Sequence, residues 1–304
     1  MKDIDYITNY WRYGDAQEDT LLDYIGDKQS DLSDELQGIL DHFKAIQLSG
    51  NVSKSEVERL HRKIDQWQKS GYDVGEFKLI MRDLDNRTRI KGSEALLAFL
   101  LAAFIGFYQP VMERNKEVLL NITQNAYHRE FENARKITGQ GRAKTPTEGD
   151  LNAILNGQIV TGGNYYDDMY ADARYRVDQF RKIINADIQQ KKPLDIDNVQ
   201  YQRALKAQKD WMLRRSQHGA NKDNHAGQLD IYMSSVISET VARAFRDAGV
   251  KKYQFIATVD DRTTDACRAL HLKIFDLDKI MIGINAPPIY PPFHYCRSII
   301  RAVE

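Results

Sequence analysis

The amino-acid sequence predicts a mainly α-helical fold that ends in a small C-terminal α+β module. Apolar residues recur at intervals of three and four through most of the chain, the spacing that buries one face of a helix. From Tyr253 the pattern changes to the alternation typical of a strand, and a second strand-like run closes the sequence. We therefore expect an extended helical N-terminal region, further helices and then a compact mixed module.

The N-terminal helical region is predicted over residues 1–138. Ser53 and Glu56 have capping-box spacing and open a helix that stops before Gly71. The run from Ala95 to Phe107 is apolar on every side but shorter than the ~20 residues that cross a bilayer. We predict that this run is a buried helix. The alternative left open is a segment that contacts a partner or a membrane.

Residues 139–150 combine glycine, proline and charge, a composition that predicts a mobile linker. A helical middle region follows over residues 151–250. Its helices are predicted from Tyr165 to Gln190 and from Gln228 to Ala248, with Pro193 and Gly249 as nearby stops. Residues 251–304 form the C-terminal module, with strands predicted up to Val259 and over residues 299–303.

Composition favours a soluble protein of 304 residues with an ordinary core, at 42% hydrophobic and 28% charged residues. The 43 basic residues balance 43 acidic ones, which excludes a polycation that binds nucleic acid through its overall charge. Two cysteines and a start without a signal-peptide pattern predict a cytoplasmic product with reduced thiols. A disulfide between Cys267 and Cys296 is a second interpretation.

Both cysteines lie in two short C-terminal blocks that also contain histidine. Cys267 and His271 are four residues apart on a predicted helical turn, whereas His294 and Cys296 are two apart on an extended segment. Two such pairs match a tetrahedral zinc site with two sulfur and two nitrogen ligands. With four protein ligands the zinc would be structural. The alternative is a small core with one buried cysteine from each block.

The acidic pair Asp260 and Asp261 follows the first predicted strand. A carboxylate at this position is expected to cap the helix that begins near Thr263. Alternatively, one carboxylate pairs with Arg262 or Arg297 and joins the two blocks. The sequence contains no glycine-rich phosphate loop, serine elbow or His-Glu-x-x-His helix, so we expect no catalytic residues and no enzymatic activity.

A basic cluster interleaved with aromatic residues lies in the middle region. Phosphate contact and base stacking both suit it, although a solvated helix face has the same pattern. The candidate residues for non-specific DNA contact are Arg203, Lys206, Lys209, Trp211, Arg214 and Arg215.

The C-terminal blocks resemble the signature of the phage minor head protein family, the head morphogenesis proteins that accompany the portal in tailed bacteriophages. The matching residues are Asp260-Asp261-Arg262-Thr263, Cys267, Leu270, and Pro291-Pro292-Phe293-His294-Tyr295-Cys296-Arg297-Ser298. Upstream, Ser238 to Ala244 is similar to the family's Arg-Thr-Glu helix, and Thr161 to Tyr166 to its Gly-x-x-Tyr turn. Tyr10-Trp11 also fits the pattern.

The sequence departs from the family pattern at three places. Many relatives carry a further cysteine where this chain has Thr264, and some carry one in place of Ser298. The spacing between His294 and Cys296 is one residue shorter than the usual His-x-x-Cys. A cysteine-rich metal site therefore does not carry over unchanged.

The resemblance implies a non-enzymatic virion component of low copy number, found in the phage head and in the host cytoplasm during assembly. Its implied partner is the portal protein, with scaffolding or major capsid proteins and non-specific DNA as further candidates and no membrane in the assembled particle. The alternative is a metal-dependent nuclease or hydrolase with Asp260, Asp261, His271 and His294 around a divalent ion. A free DNA-binding regulator lacks a recognisable recognition helix.

Overall fold

The computed structural model describes residues 3–44, 50–69, 82, 89–157, 165–212, 228–261, 263–289, 296 and 298–304. The predicted fold class, mainly α with a small C-terminal α+β module, is confirmed. In these ranges the helices are α1 Asp3–Lys44, α2 Lys54–Lys69, α3 Gly92–Thr138, α4 Glu148–Asn156, α5 Tyr165–Gln189, α6 Val199–Met212, α7 Gln228–Asp247 and α8 Asp265–Leu270. The strands are β1 Lys252–Ile256, β2 Ile274–Asp276 and β3 Ile299–Val303, with a 3-10 turn at Leu277–Lys279.

The chain divides into two compact units, and neither is a continuous segment. The first consists of Met1–Leu22, Asn115–Asp168 and Asp210–Glu304, and the second of Asp23–Arg114 and Met169–Lys209. The four boundaries fall inside α1, α3, α5 and α6 rather than in loops. A helix of 47 residues such as α3 is about 70 Å long and exceeds one compact core, so its two ends belong to different units. The sequence predicts regions that follow one another along the chain. The two units defined by contacts between residues are discontinuous instead.

The second unit has an aromatic core to which α1, α3, α5 and α6 contribute. The Phe104 and Phe180 ring centroids are 5.1 Å apart, those of Phe180 and Tyr201 5.5 Å, and those of Phe43 and Phe99 5.7 Å. All five rings are buried. Edge-on and tilted pairs of this kind add to the free energy of apolar burial.

The apolar run at the start of α3 lies inside this core. Leu96, Leu100, Ala102 and Phe104 have no exposed surface. This is the buried helix expected from the sequence. In the described residues α3 alone is long and apolar enough to cross a bilayer, and 76% of its apolar window is buried within the protein.

Helix α2 begins where the capping-box spacing predicts, but the reciprocal box does not form. The Ser53 hydroxyl lies 2.7 Å from that of Ser55, and the Glu56 N–H donates to the Ser53 carbonyl at 3.1 Å. The Glu56 carboxylate instead lies 3.0 Å from Nε2 of His42 on α1. The Glu56 side chain thus contacts α1 instead of completing a capping box with Ser53.

The predicted linker between α3 and α4 contains no regular secondary structure up to Thr147, and hydrogen bonds attach it to α3. The Lys144 N–H donates to the Tyr127 hydroxyl at 2.6 Å, and the Gln124 amide donates to the Pro146 carbonyl at 3.0 Å. Thr147 ends the segment as the N-cap of α4, in a full capping box with Asp150. The last three residues of the expected linker, 148–150, are already helical.

The C-terminal sheet is antiparallel with the order β2-β1-β3. β3 coincides with the strand predicted at the end of the chain, and its register places Ile299 opposite Ile256 and Val303 opposite Lys252. β1 ends at Ile256, three residues before the predicted end, because the Ala257 N–H donates to a histidine ring rather than to a strand. β2, which the sequence analysis did not predict, pairs with the other edge of β1.

Candidate functional site

The two cysteine-containing blocks meet at one end of the sheet. Because Ile256 at the end of β1 lies opposite Ile299 at the start of β3, the chain that leaves β1 and the chain that enters β3 are neighbours. Cys267 on α8 and Cys296 before β3 are both buried, and their Sγ atoms are 4.0 Å apart. The expected convergence of the two blocks is therefore present in the structure.

An apolar cage surrounds the two thiols. Phe255, Ala257 and Ile289 are buried against them, and Leu270 and Phe275 pack on this cluster. The pKa of the Cys296 thiol is raised well above its usual value, first by the hydrogen bond with Cys267 and then by burial. Backbone hydrogen bonds with Ile289 and Ser298 oppose this rise. Cys296 is therefore a protonated thiol at neutral pH rather than a ready nucleophile.

The acidic turn after β1 is built around Thr263. Its hydroxyl donates to the Thr258 carbonyl, accepts from the Asp260 N–H at 2.8 Å and lies 3.0 Å from Asp260 Oδ1. The Arg268 guanidinium reaches back from α8 and donates to the Asp260 carbonyl at 2.9 Å. Sequence reasoning missed this arginine, which ties the turn to the helix.

The cap of α8 is Thr264, which corrects the expected capping by Asp260 or Asp261. The Thr264 hydroxyl accepts a hydrogen bond from the Cys267 N–H at 3.3 Å, the usual reach of an N-cap to the third helical residue. Asp260 is too far back because the helix begins only at Asp265. Asp261 is exposed at the turn. Thr264 thus has a structural role of its own.

His271 does not share a helical turn with Cys267. Helix α8 ends at Leu270, and His271 is its C-cap. Its Nδ1 accepts a hydrogen bond from the Ala257 N–H at 3.1 Å, which leaves Nε2 as the protonated nitrogen of the neutral ring. The ring therefore fixes the end of β1.

The expected metal ligands are only partly placed. His294 lies outside the described residues, as do Arg262 and Arg297 with their expected carboxylate pairing. Within the described ranges no three side chains of histidine, cysteine, aspartate or glutamate gather around a common point. Zinc binding, and the divalent-ion set of the nuclease alternative, both stay predictions. Among the described residues of the zinc set, the structure brings together the two cysteines.

A buried polar pair that the sequence analysis missed stabilises the turn after the 3-10 segment. The Tyr253 hydroxyl donates to Asn285 Oδ1 at 2.8 Å, and the Met281 N–H donates to the same oxygen at 2.7 Å. The Asn285 amide donates to the Lys279 carbonyl at 3.0 Å. Burial raises the pKa of Tyr253 above its usual range, so the phenol stays a donor. The sequence signal for this turn is limited to Gly283 and, two residues later, Asn285.

The helix that resembles the family's Arg-Thr-Glu helix is α7, and it lies in the core of the first unit. Val241, Ala242 and Ala244 are buried. Arg243 binds Asp150 at the start of α4, with 2.7 Å between Nη1 and Oδ1. This helix therefore positions α4 and the segment before it.

The candidate DNA-contact residues are placed only in part. Arg203 is exposed on α6. Lys206, Lys209 and Trp211 also lie in α6, but their side chains are outside the described part of the structure, as are Arg214 and Arg215 altogether. DNA contact stays a prediction.

No protein-family model, curated protein or solved structure matches this chain. The resemblance to phage minor head proteins therefore depends on the motif residues themselves.

Proposed function

We propose that this protein is a non-enzymatic bacteriophage virion component, a minor head protein that associates with the portal protein and acts in procapsid assembly or in handling packaged DNA. The observation that carries the proposal is the contact between Cys267 and Cys296, 4.0 Å apart at Sγ. The family resemblance depends on two blocks that are separated in the sequence. Their assembly into one folded module gives a physical reason for both blocks to be present in the same chain. The phage head, and the host cytoplasm during assembly, are the proposed locations.

The chemistry of the module supports a structural role. The Cys296 thiol is protonated and enclosed, His271 is hydrogen-bonded to the backbone, and Asp260 lies in the Thr263 turn. Asp260 stabilises a turn, His271 stabilises the end of a strand, and the Cys296 thiol lies in the core. Such contacts suit a rigid element that presents a surface to a neighbouring protein.

The same module carries large apolar side chains that stay exposed. They are between 47% and 61% accessible and lie between β1 and the Asn285 turn: Val259, Leu272, Ile274, Met281 and Ile284. We call these five residues the apolar rim. We propose that these side chains contribute to a protein-binding surface, because large apolar residues are enriched at the buried centres of protein interfaces. Leu272 also adopts a left-handed conformation with φ of 62°, which is costly for a leucine.

Met281 and Ile284 of the apolar rim are suitable anchors for the portal protein because their turn is preorganised. Asn285 accepts hydrogen bonds from the Met281 N–H and from Tyr253, so the turn that carries Met281 and Ile284 is ordered before binding. A rigid apolar anchor loses little conformational entropy when it enters a pocket on a partner. We therefore place the portal-binding surface at the apolar rim.

Co-purification with the portal protein of the same phage tests this proposal. We expect the wild-type chain to remain bound to portal rings and Ile284→Asp to lose at least about tenfold in affinity, because a charge would be buried at the contact. Val199→Asp is the matched control, since Val199 is 62% exposed on α6 of the second unit and Ile284 is 61% exposed.

Two results would contradict the proposal. The first is wild-type protein that does not associate with the portal in any assembly state. The second is metal-stimulated cleavage of plasmid DNA that disappears in His294→Ala, which would support the nuclease alternative.

A further inference from the structure

The two buried thiols come from chain segments that are 29 residues apart, and they contact each other directly. A disulfide requires the sulfur atoms to approach to about 2.05 Å. At 4.0 Å the two sulfur atoms are already neighbours, and bond formation requires them to approach by about 2 Å. Cys267 is fixed by α8, whose Thr264 cap accepts from its N–H, and Cys296 lies three residues before β3.

We propose that Cys267 and Cys296 form an intramolecular disulfide when the protein meets an oxidising small-molecule disulfide, and that this bond fastens α8 to the start of β3. The bond would close the loop that contains β2, the 3-10 turn and the Asn285 turn. In the reduced protein the two ends of this loop are joined by packing and hydrogen bonds alone. The inference does not rest on the proposed function, because it follows from the geometry of the thiols.

The reaction is a pair of thiol–disulfide exchanges with oxidised glutathione as the oxidant. The Cys267 thiolate attacks one sulfur of the oxidant, whose S–S bond breaks, and one glutathione thiolate leaves and takes up a proton. Cys296 then loses its proton and attacks the Cys267 sulfur of the mixed disulfide, which displaces the second glutathione. Two protein thiols are oxidised and one glutathione disulfide is reduced to two thiols.

The order of attack follows from the surroundings of the two sulfurs. Hydrogen bonding with Cys267 and burial raise the pKa of Cys296, so Cys296 is assigned the second attack, which takes place within the molecule. Both thiols lie inside the cage of Phe255 and Ile289, and an oxidant reaches them only when that cage opens. The reduced pair is therefore stable in a reducing cell, and slow oxidation follows outside it.

The test uses the full chain, purified in reductant and then equilibrated under native conditions with oxidised glutathione. Alkylation followed by intact mass measurement and a non-reducing peptide map should show both thiols lost together, without a glutathione adduct. Closing a loop of this length should raise the melting temperature of the unit that contains it by about 5 °C. Reductant should reverse both changes.

Cys267→Ser and Cys296→Ser are the matched controls, because each leaves one thiol in the same cage. Each variant should gain a glutathione adduct or stay free, and in neither case should oxidant raise its melting temperature. Wild-type protein that keeps both thiols alkylatable at equilibrium would overturn the inference, as would wild-type protein that accumulates mixed disulfides. One zinc per chain that protects the thiols until it is chelated would also overturn it, in favour of the predicted zinc site.

Discussion

Gly141 shows how a single residue fixes the segment between α3 and α4. Its φ is +94°, and a Cβ at this position would lie 2.2 Å from the Asp247 carbonyl oxygen and 2.7 Å from the Ala248 Cα. The segment thus approaches the end of α7 backbone to backbone. Composition alone does not distinguish a glycine that allows such an approach from a glycine that makes a linker mobile.

We expect Gly141→Ala to lower the free energy of unfolding by about 2–4 kcal/mol, because the added methyl group must move backbone atoms as well as adopt a strained φ. Gly139→Ala is the control: its φ is +66° and nothing lies within 4 Å of the added Cβ, so it should cost only ~1 kcal/mol. Urea unfolding of the two variants measures the difference. Equal losses would show that the close approach to α7 contributes nothing.

The elements of the first unit are joined by charge as well as by packing. Asp150 in the first turn of α4 accepts from the Thr147 N–H at 2.8 Å and lies 2.7 Å from Arg243 of α7. The Thr147 hydrogen bond, followed by that of Arg243, lowers the pKa of Asp150 to about 2. A lowered pKa in the folded state means that the ionised carboxylate stabilises the fold above its unfolded pKa. This stabilisation is lost as the pH falls through the folded value.

Asp150→Asn should therefore reduce the free energy of unfolding by about 1 kcal/mol at neutral pH, after allowance for solvent screening at this partly exposed site. The difference from wild type should shrink as the pH falls from about 4 towards 2, because the wild-type carboxylate is then protonated as well. Chemical denaturation at several pH values across this range measures the difference in the free energy of unfolding. Asp278→Asn, at an exposed position of the same unit, is the control. A constant difference at all pH values would contradict the assigned role of the charge.

Strands and helices could be predicted from the sequence where the local pattern of residues determines the element. β3 and the helices α5 and α7 follow from alternation, apolar spacing and the stops around them. β2 was missed because three residues carry too little pattern to indicate a strand. The end of β1 was misplaced because it depends on His271, which bonds to Ala257 only in the folded chain.

In the candidate site, too, some features could be predicted from the sequence and others could not. The pairing of Cys267 with Cys296 was predictable because strands on either side bring their blocks together. The roles of Thr264 and His271 were not, since each depends on where α8 begins and ends. Tyr253 and Asn285 are 32 residues apart, and nothing local indicates that a phenol and an amide will meet.

At the scale of the whole molecule, the second unit is assembled from two separate pieces of chain. The contact between Phe104 and Phe180, with ring centroids 5.1 Å apart, joins these pieces in its core. Phe104→Ala should reduce the free energy of unfolding of this unit by about 3–5 kcal/mol, because it leaves a cavity among buried rings. Tyr175→Ala on the same helix as Phe180 is the control, since Tyr175 is 55% exposed and its loss should cost less than about 1 kcal/mol.

Thermal unfolding followed by circular dichroism compares the two variants with wild type. Similar losses for both would mean that the aromatic core does not hold the pieces together.

The discontinuous layout of the first unit also governs the order of events during protein synthesis. Its first piece, Met1–Leu22, precedes the second unit in the sequence, and its last piece includes β3. All residues of the second unit precede Asp210, so we expect this unit to fold before the last piece of the first unit is synthesised. β3 can pair with β1 and help to enclose the two sulfurs only after residues 299–303, far from the first piece in sequence, have been synthesised.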